Sequence, residues 1–202
     1  MTQNPTPTLD FWYEFASTYS YPVAMRINAL AKARGVSINW KPFLLGPVFS
    51  AQGWQDSPFN LYPAKGAYMW RDMERICQQQ GIPFLRPRIF PARSVLSAKV
   101  AMVGASEGWI APYSRAVYTA VFARDLDISS PKTLQSILED LGLNAAEILD
   151  RAKTEEGAQL RQQTNAAMER GIFGAPSFTT GTELFWGGDR LQDAIDCALE
   201  NA

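Results

Sequence analysis

L-D-F-W-Y-E-F-A-S-T-Y-S-Y, residues Leu9 to Tyr21, is the stretch whose reading decides the fold. Leu9 to Phe15 is a short apolar run of aromatic and β-favouring side chains, which reads as a buried strand ending at Ala16. A helix follows almost at once. Ser20 stands as its N-cap, Pro22 sits in the first turn, where a missing N–H costs nothing, and Val23, Ile27 and Leu30 recur at helical spacing up to a stop at Gly35. Ser17 therefore lies between a strand end and a helix N-terminus, where backbone N–H groups and the positive end of the macrodipole favour an anion.

Outward from this junction, Val36 to Leu45 alternates in its first half and reads as a second strand, completing a β-α-β unit. Gly46 to Tyr62 has no clear period and reads as a loop of the length that is usually functional or mobile. Pro63 and Lys65 open a helix with the apolar stripe Met69, Met73, Ile76 and Cys77, stopping at Gly81. A connection punctuated by Pro83, Pro87 and Pro91 leads to three helical stretches, about Ser94–Glu107, Ala111–Arg124 and Pro131–Leu141. Asn144 with Glu147 resembles a capping box opening a long helix to about Arg170, interrupted only by Gly157. Gly171 to Pro176 reads as a turn, Ser177–Thr180 and Glu183–Trp186 as short strands joined through Gly181, and Asp189–Leu199 as a terminal helix.

The 202 residues and 47% hydrophobic content suit one substantial globular domain. Nineteen basic against twenty acidic residues give a formal charge of −1 with no basic stripe, which argues against nucleic acid as a partner. Met1 to Thr8 is polar and lacks the regions of a signal peptide, and no apolar run is long enough for a bilayer, so the expected location is cytoplasmic. Cys77 and Cys197 each fall in an apolar helical pattern and read as free thiols. The chain contains no histidine, which removes Ser-His-Asp and Cys-His catalysis and the commonest metal ligand sets. No metal site is expected.

The spacing Ser17-Thr18-Tyr19-Ser20 matches the place where a thioredoxin-type redox site carries Cys-x-x-Cys, with serines in place of both cysteines. A hydroxyl forms no mixed disulfide, so such a fold here would borrow a thiol or do other chemistry. This stretch, together with Y-P-A-K-G-A-Y-M-W-R-D-M-E-R (Tyr62–Arg75), G-I-P-F-x-x-P-x-x-F-P (Gly81–Pro91), F-G-A-P-S-F (Phe173–Phe178) and F-W-G-G-D-R-L (Phe185–Leu191), resembles the kappa-class glutathione transferases and their bacterial relatives, the 2-hydroxychromene-2-carboxylate isomerases. The segment G-W-x-x-S-P-F-N before Y-P-A-K is closer to the isomerase branch. The chain departs from the family at Thr18, where proline is usual, and at Arg93, where Asn is usual.

The resemblance implies an α/β thioredoxin-like fold of DsbA/kappa-class type with an inserted all-helical subdomain. Residues 1–46 and 171–202 would form the thioredoxin-like domain, about 47–143 the helical insertion, and the long helix 144–170 would pack with or bridge to the former. It further implies glutathione as cofactor, a small aromatic substrate and a homodimer. Ser17 would donate a hydrogen bond to the glutathione sulfur. A free thiol with pKa ~8.5 is only ~3% ionised at pH 7, and a shift of ~2 units needs roughly 2.7 kcal/mol, within reach of a charge-assisted hydrogen bond plus a helix N-terminus. An isolated serine here would read as a plain N-cap; the full set of motifs reverses that preference.

Ala175-Pro176 matches the position of the family's cis-proline, whose preceding backbone pairs with the cysteinyl part of glutathione. Gly188 and Asp189 open the terminal helix and suit the γ-glutamyl group, while Asp189 also reads as a simple N-cap. Trp54, Asn60 and Lys65 read equally as solvent-facing loop or as contacts to a ligand carboxylate. Arg88 and Arg93 are further candidates for a substrate carboxylate, and Tyr21 and Phe49 line an aromatic pocket or belong to the core.

The expected activity is glutathione-dependent interconversion of 2-hydroxychromene-2-carboxylate and trans-o-hydroxybenzylidenepyruvate, a step in bacterial catabolism of naphthalene-type aromatics. A kappa-like transferase that conjugates electrophiles is the alternative, followed by a non-catalytic thioredoxin-fold binding module. A redox enzyme ranks last, because Cys77 and Cys197 form no Cys-x-x-Cys pair.

Overall fold

The computed structural model describes residues 6–201, so most of the Met1 to Thr8 segment read above lies outside the described residues. Four strands form one mixed sheet in the order β2-β1-β3-β4, with β1 Thr8–Tyr13, β2 Ser37–Pro42, β3 Ser177–Thr180 and β4 Glu183–Trp186. β1 pairs in parallel with β2 and antiparallel with β3, so it is central and covered on both faces. That explains its buried apolar residues Leu9, Phe11, Trp12 and Tyr13, with only Asp10 among them partly open to solvent. Leu9, Phe11 and Tyr13 face a core built with α1 (Ser20–Ala33) and the terminal helix, whereas Trp12 packs on the other face with Phe43, Val48, Ala167 and Ile172. Phe11 anchors the first face, with ring centroids 5.0 Å from Trp40 and 5.7 Å from Phe178.

The first strand ends at Tyr13, two residues short of the expected Phe15, because the backbone turns at Glu14. Ser17 N–H donates to the Glu14 carbonyl at 2.9 Å, and Ala16 N–H donates to the Glu14 carboxylate at 2.8 Å. Ser20 is the first residue of α1 rather than its cap. The hydroxyl that accepts its N–H, at 3.3 Å, belongs to Ser17.

The expected loop 46–62 contains two short helices, α2 (Leu45–Ala51) and α3 (Pro58–Leu61), the second capped by Ser57, whose hydroxyl accepts from Phe59 N–H. Neither is long enough to establish a period. The helices α4 (Pro63–Gln80), α5 (Val95–Glu107), α6 (Ile110–Arg124) and α7 (Pro131–Asp140) agree with their expected spans to within one residue at most ends. Instead of one long helix there are two, α8 (Ala145–Thr154) and α9 (Glu156–Glu169). They part at Glu155 and not at Gly157, and the break brings the Glu156 side chain into the interior.

The terminal helix also starts later than expected. Gly188–Arg190 is a single 3-10 turn, and α10 runs from Leu191 to Glu200 on β1, β3 and α1. α5 packs against α6, α8 and α9. We propose that the helices between β2 and α8 form the inserted subdomain; one buried cluster joins it to the sheet, running from Phe11 through Phe15 and Tyr118 to Leu134. Among the described residues no helix is long and apolar enough to cross a membrane.

Candidate active site

The β1–α1 turn opens onto a cleft of about 1670 Å³. Its walls come from that turn, the α2–α3 segment, one side of α4, the residues before and within the start of α5, the turn ahead of β3, and the 3-10 turn at Gly188–Arg190. Such a volume exceeds the roughly 300–1,000 Å³ of a single small-ligand pocket and has room for two partners.

Ser17 lies on this wall, 8% exposed. Its hydroxyl donates to the Ala175 carbonyl at 2.9 Å and accepts from the Ser20 hydroxyl at 3.0 Å, so Ser20, Ser17 and Ala175 form one relay. The Ala175-Pro176 peptide is cis. Pro176 lines the cleft beside Ala175, and its carbonyl accepts from Gly187 N–H at 3.0 Å, which ties the cis-proline turn to the turn that carries Gly188.

Trp54, Phe49, Lys65, Gly188 and Asp189 all reach the same cleft. Trp54 and Phe49 pack as tilted rings with centroids 5.6 Å apart, and the Lys65 ammonium lies 4.8 Å over the Tyr62 ring. Asp189 is not a helix cap; its carboxylate pairs with Arg190 at 3.1 Å on the surface.

Three expected site residues lie elsewhere. Tyr21 is fully buried in the core, its hydroxyl donating to the Pro83 carbonyl at 2.5 Å. Burial pushes its pKa up to about 12. Arg88 is 84% exposed outside the cleft and is held by Asp125, which takes both its guanidinium and its backbone N–H. Asn60 is exposed, donating back to the Asp56 carboxylate at 3.1 Å.

The cleft also holds residues to which the sequence reading assigned no role. Glu14 is 5% exposed, and burial raises its pKa to about 7 against the opposing hydrogen bonds from Ser94 and Ala16. Tyr19 donates to Asp72 at 3.0 Å, and both line the cleft. Two buried polar atoms on the wall, Arg26 Nε and Gln80 Oε1, have no hydrogen-bond partner among the described residues. Lys99 and Arg93, the second of which the sequence did offer as a candidate for a substrate carboxylate, reach the cleft from either side of the α5 start and take part in no ion pair among the described residues. Cys77, by contrast, is a core thiol that burial pushes up to about 11.

The profile of the DSBA-like thioredoxin domain family matches residues 8–196. The chain is 31% identical to a 2-hydroxychromene-2-carboxylate isomerase of Pseudomonas putida over 91% of its own length and 90% of the relative's. It is 25% identical to human glutathione S-transferase kappa 1, covering 93% and 89% of the two chains. A solved structure of a 2-hydroxychromene-2-carboxylate isomerase superposes with a TM-score of 0.85 at 27% identity, covering 96% of this chain and 94% of that one.

Proposed function

The chain belongs to the DSBA-like thioredoxin domain family and, within it, to the family of 2-hydroxychromene-2-carboxylate isomerases; we propose that it is a glutathione-dependent isomerase of a small aromatic acid, with 2-hydroxychromene-2-carboxylate and trans-o-hydroxybenzylidenepyruvate as the pair it interconverts. The observation that carries this reading is the Ser17 hydroxyl, placed at the strand-to-helix junction and hydrogen-bonded to the carbonyl beside the cis-proline. With serine at both positions of the motif, the site offers hydrogen-bond donors to a sulfur anion and no thiol of its own.

The residues present fit a tripeptide that carries carboxylates and an ammonium. Arg26 Nε, without a partner among the described residues, offers a donor and Gln80 Oε1 an acceptor, both buried on the cleft wall. Lys65 offers a cation from the α4 side, and the Ala175 carbonyl offers a backbone acceptor. When bound, glutathione supplies the thiolate that adds reversibly to the conjugated enone and so allows rotation about the former double bond.

Ser17 holds the sulfur as an anion, helped by the N-terminus of α1. Ser20 orients the Ser17 hydroxyl by donating to it. Trp54 and Phe49 provide the apolar wall for the aromatic part, and Arg93 and Lys99 provide cations for a substrate carboxylate. A homodimer in the cytoplasm completes the proposal, on the strength of the family resemblance.

The deciding test is turnover of 2-hydroxychromene-2-carboxylate with catalytic glutathione in wild type and Ser17→Ala. Loss of most turnover in the variant agrees with the proposal, and near-normal turnover contradicts Ser17's role. The similarity to a kappa transferase supports a second reading, conjugation of electrophiles. A stable thioether product that accumulates with glutathione consumption distinguishes it.

A further inference from the structure

Glu14 has no part in the chemistry above, yet it is built into the turn that presents Ser17. One carboxylate oxygen accepts from Ala16 N–H at 2.8 Å, one peptide from Ser17, and the other accepts from the Ser94 hydroxyl. Its own carbonyl accepts from Ser17 N–H at 2.9 Å and from the Tyr118 hydroxyl at 2.9 Å. Side chain and backbone thus fasten the Ser17 turn to two other elements, and the carboxyl still lies on the cleft wall.

The groups packed around this carboxyl do not fix its charge. Tyr13 and Tyr118 are buried phenols whose pKa values burial pushes further up, so both stay neutral. Arg93 precedes Ser94, and Lys99 lies one turn into α5; neither pairs with Glu14. Ser94 suits both protonation states. Its hydroxyl donates to a carboxylate and, after rotation, accepts from a carboxylic acid. With burial holding the carboxyl near neutrality, a second negative charge beside it decides whether it carries a proton.

We propose that Glu14 is the charge-compensating residue of the site, taking up one proton when a thiolate is held at Ser17 and releasing it when the anion leaves. The balance is simple. The thiol gives one proton to solvent on ionising and Glu14 takes one from solvent, so the buried site carries a single negative charge before and after. Glu14 acts here as a positioning residue for the Ser17 turn and as a charge partner, without touching the reacting atoms. The inference rests on the glutathione reading above.

The experiment is titration calorimetry of the full chain with glutathione at pH 7 and pH 8, in buffers of different ionisation enthalpy, which counts the protons exchanged on binding. Wild type is expected to release fewer protons than Glu14→Gln, by about half a proton at pH 7 and by more at pH 8. S-methylglutathione, which has no thiol to ionise, should give no such difference. Ser94→Ala removes a hydrogen bond that favours the charged carboxyl, so its release should move toward that of Glu14→Gln; this variant serves if Glu14→Gln fails to fold. Equal proton release by wild type and the variants overturns the role of Glu14 while the activated thiol stands. Glutathione binding with no proton release in any of the proteins overturns both.

Discussion

The hydroxyl of Ser17 donates a 2.9 Å hydrogen bond to the carbonyl of Ala175, 158 residues away in sequence. The two groups expected to meet the cysteinyl part of glutathione therefore meet each other, and a thiolate bound as proposed would replace Ala175 as the partner of the Ser17 proton. The Ser20 hydroxyl, donating to Ser17 from behind, keeps that proton aimed into the cleft. The Ser17 hydroxyl then has only to turn its proton from Ala175 to an incoming anion, which keeps the reorganisation small.

Ser17→Ala removes the donor but leaves the helix N-terminus. A hydrogen bond to a charged acceptor is worth about 1.5–3 kcal/mol. Turnover near neutral pH is expected to fall by about 25-fold, with the substrate KM changed much less, because the loss lies in the ionised fraction of the thiol, which drops from mostly thiolate to a few per cent. Steady-state kinetics with saturating glutathione checks this.

Glu14 also imposes a pH dependence on stability. Its folded pKa of about 7 lies above the ordinary carboxylate value of 4.5, so the folded state favours the protonated form. Its stabilising preference is complete below about pH 4.5 and is lost as pH rises through about 7. Relative to Glu14→Gln, wild type should lose about 3 kcal/mol of unfolding free energy across that window. Urea denaturation of both proteins at several pH values measures the difference, and a constant gap would contradict the burial of an ionisable Glu14.

Arg93→Ala and Lys99→Ala should each raise KM for a carboxylate-bearing substrate by several-fold, up to about tenfold, with kcat nearly unchanged. Partly exposed cations contribute modest binding energy of this order. Raising the ionic strength should reproduce part of the effect in wild type and little of it in the double variant.

Gly66 gives a test with an unusual sign. Glycine to alanine inside a helix ordinarily stabilises by about 1 kcal/mol. Here a Cβ at residue 66 would lie 2.3 Å from the carbonyl oxygen of Phe59, so α3 would have to move off α4. Gly66→Ala should therefore destabilise by about 1–3 kcal/mol. It should also weaken glutathione binding, because Phe59 packs against Tyr19 on the cleft wall.

The sheet was legible because β1 carries the buried aromatic run Phe11 to Tyr13 and β3 and β4 are bounded by Pro176, Gly181 and Gly187. Those signals are local and strong. α2 and α3 were not legible, since seven and four residues cannot establish a helical period. At the site, Tyr21 and Arg26 exchange roles for a reason of helix geometry. Tyr19, Pro22 and Arg26 share the stripe of α1 that faces the cleft, whereas Tyr21, Ala24 and Ile27 share the core stripe. Applying that spacing to the residues after Ser17 would have pointed to Arg26. Glu14 carried a readable signal too, a lone acid between Tyr13 and Phe15 in a buried strand end, whereas the clasp of Arg88 by Asp125 joins residues 37 apart and leaves no local trace.

The most direct measurement is a pH titration of thiolate absorbance for glutathione with excess protein, run beside Ser17→Ala. The account predicts an apparent thiol pKa about 2 units below that of free glutathione in wild type, most of which is lost in the variant. A thiol that titrates as it does free in solution, or a shift that survives unchanged in Ser17→Ala, would contradict it.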